Sequence, residues 1–215
     1  MMVYTLEEIK SDLYELTEKQ FYTKHILRSD NWYLEEYLEK KPDEVIHLLD
    51  DYRLIISEIM KVSLNSIMMV GSGKLGYSLS PPDLKHPESS KLFLPFNDDE
   101  KVRKISDIDI AIISNDIFQE YWKKFRNSFK MKYATTYSYV YQELYRGYIN
   151  ERNILEVEGC RKEWNKTAAV TKKKIHEELY FRHDISYRIY RSWEDFEEYN
   201  IQNIRKLKRG VWNEI

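Results

Sequence analysis

Two aspartates, Asp107 and Asp109, stand on alternate residues of the run Ser106-Asp107-Ile108-Asp109-Ile110. In an extended strand, residues two apart point to one face, so both carboxylates project together and offer hard oxygens to a divalent cation. A second element lies upstream, where the apolar run Ile67-Met68-Met69-Val70 ends at Gly71-Ser72-Gly73-Lys74-Leu75-Gly76. A strand that breaks into a glycine turn frees backbone N–H groups beside the Ser72 hydroxyl. With Lys74 following, these are donors suited to a polyphosphate. A metal between carboxylates and a phosphate cradle is the equipment of transfer at a phosphorus centre, where the protein supplies position and charge neutralisation. Either element alone is weak, since Asp-x-Asp also occurs on exposed edge strands and Gly-Ser in ordinary turns.

Taken together, Met69-Val70-Gly71-Ser72 and Ser106-Asp107-Ile108-Asp109-Ile110 resemble the nucleotidyltransferase superfamily, the fold of polymerase beta, CCA-adding enzymes, kanamycin nucleotidyltransferase and the small MNT proteins. The resemblance covers roughly residues 63 to 130 and extends toward 190. The family's two elements are usually much closer than the 35 residues separating Ser72 from Asp107, so the Pro-rich stretch between them is an insertion.

The apolar run 67–70, the alternation of Ile108, Ile110 and Ile112 with Asp107, Asp109 and Ala111, and the stretch from Asp184 to Tyr190 read as strands; together with the resemblance they imply an α/β (α+β) fold, a small mixed β-sheet flanked by helices, with strands near 66–70, 107–113 and 184–190. It implies that Asp107 and Asp109 hold Mg²⁺ or Mn²⁺ and that Gly71, Ser72 and Lys74 hold a nucleoside triphosphate, ATP being the expected one. The family's third carboxylate, on a later strand, falls on Asp184 in Arg182-His183-Asp184-Ile185, as a further metal ligand or the acceptor's proton acceptor. The implied reaction moves an NMP to a hydroxyl of RNA, protein or a small molecule. The alternative is a catalytically degenerate member that binds nucleotide or serves as a partner or regulatory subunit.

Other motifs compete for the same residues. Gly71, Gly73 and Gly76 fit the G-x-G-x-x-G dinucleotide fingerprint, but Pro81 and Pro82 arrive before the helix it requires could form. A Walker A loop is excluded because Tyr77 stands where its lysine belongs. A nucleic-acid binder without chemistry would use a basic face including Arg205, Lys206, Lys208 and Arg209. His183 neighbours Asp184 but lacks metal-ligand spacing with the other histidines.

The elements that must position these residues follow from periodicity. Thr5 and Glu8 form a capping box ahead of Leu6, Ile9, Leu13 and Leu16 at helical intervals. A short helix is predicted over 32–38, stopped by Pro42, and a third capped by Asp43. Residues 1–62 thus form a helical extension to a domain over 63–215, with a loop insertion at 80–104 expected at the mouth of the site. Further helices are predicted over 115–129, 165–181 and from Ser192 to about Gly210, while the tyrosine-rich stretch 133–148 is compatible with helix or strand.

Composition bounds the partners. Net charge is −2, but residues 1–60 carry −7 and the remainder +5, so an acidic helical segment could dock a protein partner while the rest meets polyanions. No apolar run is long enough to cross a membrane. A lone cysteine, Cys160, forms no internal disulfide, and an acidic N-terminal stretch is unlike a leader; both point to a cytoplasmic protein.

Overall fold

The computed structural model describes residues 3–81 and 90–212. The chain forms ten α-helices among these residues and one four-stranded sheet, ordered β1-β2-β4-β3. The strands are β1 (Ile67–Val70), β2 (Ile108–Ile113), β3 (Tyr148–Asn150) and β4 (Ile185–Tyr190). Two compact units divide the chain. One is drawn from the chain up to Val45, Met69–Ile108 and the chain from Glu197 on; the other from Ile46–Met68 and Asp109–Phe196.

In the first unit, helix α1 (Leu6–Glu15) starts at the Thr5–Glu8 capping box and buries Ile9 and Leu13. A second capping box, Thr17 with Gln20, opens α2 (Glu18–Phe21), which continues as a wide π-helical turn through Leu27. Another π turn covers Tyr33–Tyr37, where the short helix over 32–38 is predicted. Helix α3 (Pro42–Met60), of which only Pro42–Val45 belongs to this unit, begins at Pro42 instead of following it. Proline has no N–H to lose in the first turn and a φ suited to it, so Pro42 starts α3 while leaving the preceding segment as a turn. Helix α4 (Gly71–Leu75) is five residues long and closes on Gly76.

The insertion is tied at its base. Phe96 N–H donates to the Gly76 carbonyl, Ser78 N–H donates to the Leu94 carbonyl, Phe93 N–H donates to the Ser78 carbonyl, and Tyr77 pairs with Pro95. Phe96 is buried among the rings of Trp32, Tyr33 and Tyr37. The 92–96 segment therefore contributes to the core of this unit through Phe96, while Leu94 is exposed. Pro82 and Pro87, at the middle of the predicted loop, lie outside the described residues.

In the second unit, β4 alternates buried Ile185, Tyr187 and Ile189 with half-buried Ser186 and Arg188. It runs antiparallel to β3, with Ile149 opposite Ile189 and Asn150 opposite Arg188. Beside β2 it runs parallel: Ser186 bonds Asp109, and Ser114 N–H bonds the Tyr190 carbonyl, so both partners advance together. Helix α5 (Asn115–Asn127), capped by Ser114, packs on β4. The tyrosine-rich stretch resolves into α6 (Ala134–Tyr145) followed by β3, because Gly147 at φ 74 ends the helix.

Three helices, α7 (Glu151–Glu156), α8 (Glu158–Asn165) and α9 (Ala168–Leu179), occupy the span before β4. The first two are unanticipated from sequence, and the predicted helix over 165–181 is confined to α9. Helix α10 (Trp193–Trp212) starts at Ser192, whose hydroxyl accepts from Asp195 N–H. Among the described residues no helix is long and apolar enough to cross a membrane.

Candidate functional site

The glycine turn is shaped by backbone geometry. Gly71 has φ 68, a left-handed conformation that L side chains rarely adopt, and it redirects the chain from β1 into α4. Gly76, at φ 80, ends α4; a Cβ there would lie 2.8 Å from the Trp32 ring. Gly73 packs against the backbone of Ile108, 3.9 Å from where its Cβ would stand, and near Met69 and Phe96. Ile108 is the residue between the two aspartates, so in the first unit the turn and the start of the Asp-x-Asp run adjoin despite the insertion between them.

Asp107 is exposed at the residue before β2. Its approach is held by Asn97, a buried residue with no signal in the sequence pattern. The Asn97 side-chain amide donates to the carbonyls of Asp99 and Arg103 at 3.0 Å, and Asn97 exchanges bonds with Ser106 through its backbone. These bonds close residues 97–106 into a loop that delivers Asp107. Lys74 is 6% exposed, and its ammonium donates to the carbonyls of Arg28 and Asp30. That position gives Lys74 a structural use within the first unit.

In the second unit Asp109 is half-buried on β2, and its Oδ1 accepts a 2.8 Å bond from the Ser186 hydroxyl. Asp184 is exposed at the residue before β4, two positions upstream of Ser186. The side chain directly beside Asp109 is thus a hydroxyl, with Asp184 about 7 Å further back along the strand at the usual rise per residue. Arg188 follows Ser186 on the same face, donates from Nε to Asn150 Oδ1 at 2.6 Å, and lies over the Tyr148 ring. Asn150 in turn donates through backbone and side chain to buried Glu143.

On β2 the face of Asp109 closes at Ala111 and Ile113, both buried, and on β4 it closes at Tyr190. Its half-exposed polar groups therefore sit at the starting ends of two parallel strands. The five residues of α4 are too few for the helix that the dinucleotide fingerprint requires. His183 is buried. Cys160 is fully buried and its thiol is pushed up to about 11 by desolvation, which leaves it a packing residue.

Among the described residues, no three His, Cys, Asp or Glu side chains are grouped so as to hold a metal ion. Two carboxylates suffice for Mg²⁺, which keeps several waters and is commonly held by one or two carboxylates together with substrate phosphates. Asp107 is exposed in the first unit and Asp109 half-exposed in the second. No family model matches the chain, and no curated protein or solved structure is significantly similar to it.

Proposed function

We propose that this chain is a metal-dependent nucleotidyltransferase that moves an NMP from an NTP, with ATP as the expected donor, to an acceptor hydroxyl. The observation that carries the proposal is the packing of Gly73 on Ile108, which supports a phosphate-binding turn beside an Asp-x-Asp strand. Asp107 and Asp109 would hold Mg²⁺ or Mn²⁺, and a bound ion would supply charge neutralisation at the phosphates. Backbone N–H groups at Gly71 and Ser72 and the Ser72 hydroxyl would bind the triphosphate, and Lys74 would act there by fixing the turn to the carbonyls of residues 28 and 30. Ser186 orients Asp109. Asp184, exposed before β4, would accept the proton of the attacking hydroxyl.

The test is incubation of the chain with each α-³²P-labelled NTP and Mg²⁺, alone and with total RNA or cell lysate. Label should transfer with wild type and disappear with Asp107→Asn and with Asp109→Asn. Undiminished labelling by both variants removes the proposed site.

A second reading is supported by the hydroxyl of Ser186 standing beside Asp109 where a third carboxylate would serve catalysis. It makes the chain a degenerate member that binds nucleotide as a partner or regulatory subunit, with its acidic N-terminal helices as the docking surface. Saturable nucleotide binding without label transfer in any mixture selects it.

A further inference from the structure

Helix α6 has a surface unlike those of the later helices α9 and α10. Of its twelve residues one is charged, Glu143, and that side chain is buried. The exposed positions are filled instead by Tyr139, Tyr141 and Tyr145 with uncharged Ala134, Thr135, Ser138 and Gln142, and Tyr145 is 91% exposed. By contrast α9 and α10 carry the mixed lysine and glutamate faces of ordinary solvated helices.

The rings form a row. Tyr137, Tyr141 and Tyr145 succeed one another at four-residue intervals and so share one side of the helix. Buried Tyr137 contacts Tyr141 at 6.0 Å and half-exposed Phe129 at 4.9 Å between ring centres, which extends the row past the helix start. Cations flank it. Arg126, Lys130 and Lys132 are exposed at the Phe129 end and Arg146 at the Tyr145 end. Glu158, an acid within reach of the fields of Lys130 and Lys132, is paired with Lys162 at 3.1 Å.

Stacking rings between flanking cations match the needs of an extended polynucleotide: π faces for bases and positive charge for phosphates. We infer that the α6 face of the second unit binds single-stranded nucleic acid, bases stacking on Tyr141 and Tyr145 and phosphates meeting Arg126, Lys130, Lys132 and Arg146. Depletion of Lys and Glu in favour of Tyr also suits a protein partner, but cations at both ends of an otherwise uncharged row favour a polyanion. The inference rests on this surface and not on the transfer chemistry, so it stands or falls by binding alone.

The experiment is fluorescence anisotropy of the full chain with a labelled single-stranded RNA 20-mer, the matching DNA, and labelled polyglutamate, across a salt series. RNA or DNA should bind with log affinity falling against log salt at a slope of about −3, from four phosphate contacts on a single strand. Tyr141→Ala with Tyr145→Ala should weaken binding by about tenfold or more, and the Phe versions should retain it, because stacking uses the ring and not the hydroxyl. Lys130→Gln with Lys132→Gln should flatten the slope by about 1 to 2. A preference for RNA over DNA would identify the 2′-hydroxyl as part of the contact. Polyglutamate binding as well as the oligonucleotides, an unchanged affinity in the Tyr-to-Ala double variant, or no oligonucleotide binding at low salt would each overturn the inference.

Discussion

Two carboxylates in the second unit are used in different ways. Glu151, at the start of α7, is 5% exposed and accepts from the Trp164 indole at 2.6 Å, the Lys172 ammonium at 2.8 and 3.0 Å, and the Tyr187 backbone N–H at 3.0 Å. Asp109, on β2, is half-buried and is oriented by the Ser186 hydroxyl. A buried carboxylate must be neutralised and fully hydrogen-bonded to be tolerated, and Glu151 is. A carboxylate that keeps access to solvent can exchange water for a ligand. The first arrangement ties α7, α8, α9 and β4 together; the second suits a site.

The sharpest way to break that contrast is to neutralise each acid in turn. Asp109→Asn keeps size and a hydrogen-bonding oxygen for Ser186, so melting should stay close to wild type. NMP transfer should fall by about a thousandfold or more, the several kcal/mol that metal-assisted charge stabilisation contributes to such reactions. A variant that melts far lower with proportionate loss of activity would make Asp109 structural. Glu151→Ala should do the reverse in kind. It leaves Lys172 and the Trp164 indole facing a buried gap, which costs about 3–5 kcal/mol and lowers the melting temperature by roughly 6–20 °C for a chain of this size. Glu151→Gln, which keeps an acceptor for the indole, should lose less.

The glycines sharpen the comparison at the turn. Gly76→Ala forces a side chain into a left-handed backbone against the Trp32 ring, and about 1–3 kcal/mol of destabilisation by urea titration is expected. Gly73→Ala meets Met69, Phe96 and the Ile108 backbone at 3.8 to 3.9 Å, ordinary contact distances, and should fold normally. Its effect, where there is one, should be on nucleotide binding. Equal stability of the two variants would show that Gly76 is not strained.

How much of this was legible depends on which interactions are local. The Thr5–Glu8 box, the alternation of Ile108, Ile110 and Ile112, and the helix starts after Ser114 and Ser192 each depend on residues within a turn of one another, and each is found. Strand β4 was anticipated for the same reason, one residue early. Helices α7 and α8 were not, because their sequence mixes Glu, Arg and Asn without a clear apolar stripe and they are fixed by long-range partners such as Trp164 to Glu151. Pro42 was misplaced because proline stops one helix and starts another with the same geometry. Of the site, the Gly71-Ser72 and Asp107/Asp109 elements carried a sequence signal. Asn97, Ser186 and the chain Arg188–Asn150–Glu143 carried none, since an amide or hydroxyl acquires its role only from the strand or loop brought beside it.

The smallest expected effect concerns a third carboxylate, Asp12 of α1, in the first unit. His25 Nε2 lies 2.8 Å and Lys24 Nζ 2.6 Å from Asp12 Oδ2, with the imidazole buried between the rings of Tyr4 and Phe21. Burial works against ionised Asp12, but the hydrogen bonds from Lys24 and His25 outweigh it and hold the carboxyl below its usual range. Burial also lowers the His25 pKa, and the bond to Asp12 only partly offsets it. Both groups therefore have folded values depressed relative to the unfolded chain. For His25 the folded state resists protonation, so stability is complete above the unfolded value of about 6.5 and is lost as pH falls below it toward the folded value. For Asp12 the loss begins lower, as pH falls from about 4 through the folded value. Urea midpoints should therefore decline between pH 7 and 5 chiefly through His25, and further below 4 through Asp12. Replacing His25 by Gln, which keeps a donor for Asp12 without a titrating ring, should flatten the decline between pH 7 and 5 and leave the acid limb in place. A decline of the same steepness in His25→Gln would assign it to other groups and show that the buried imidazole is protonated with little cost to the fold.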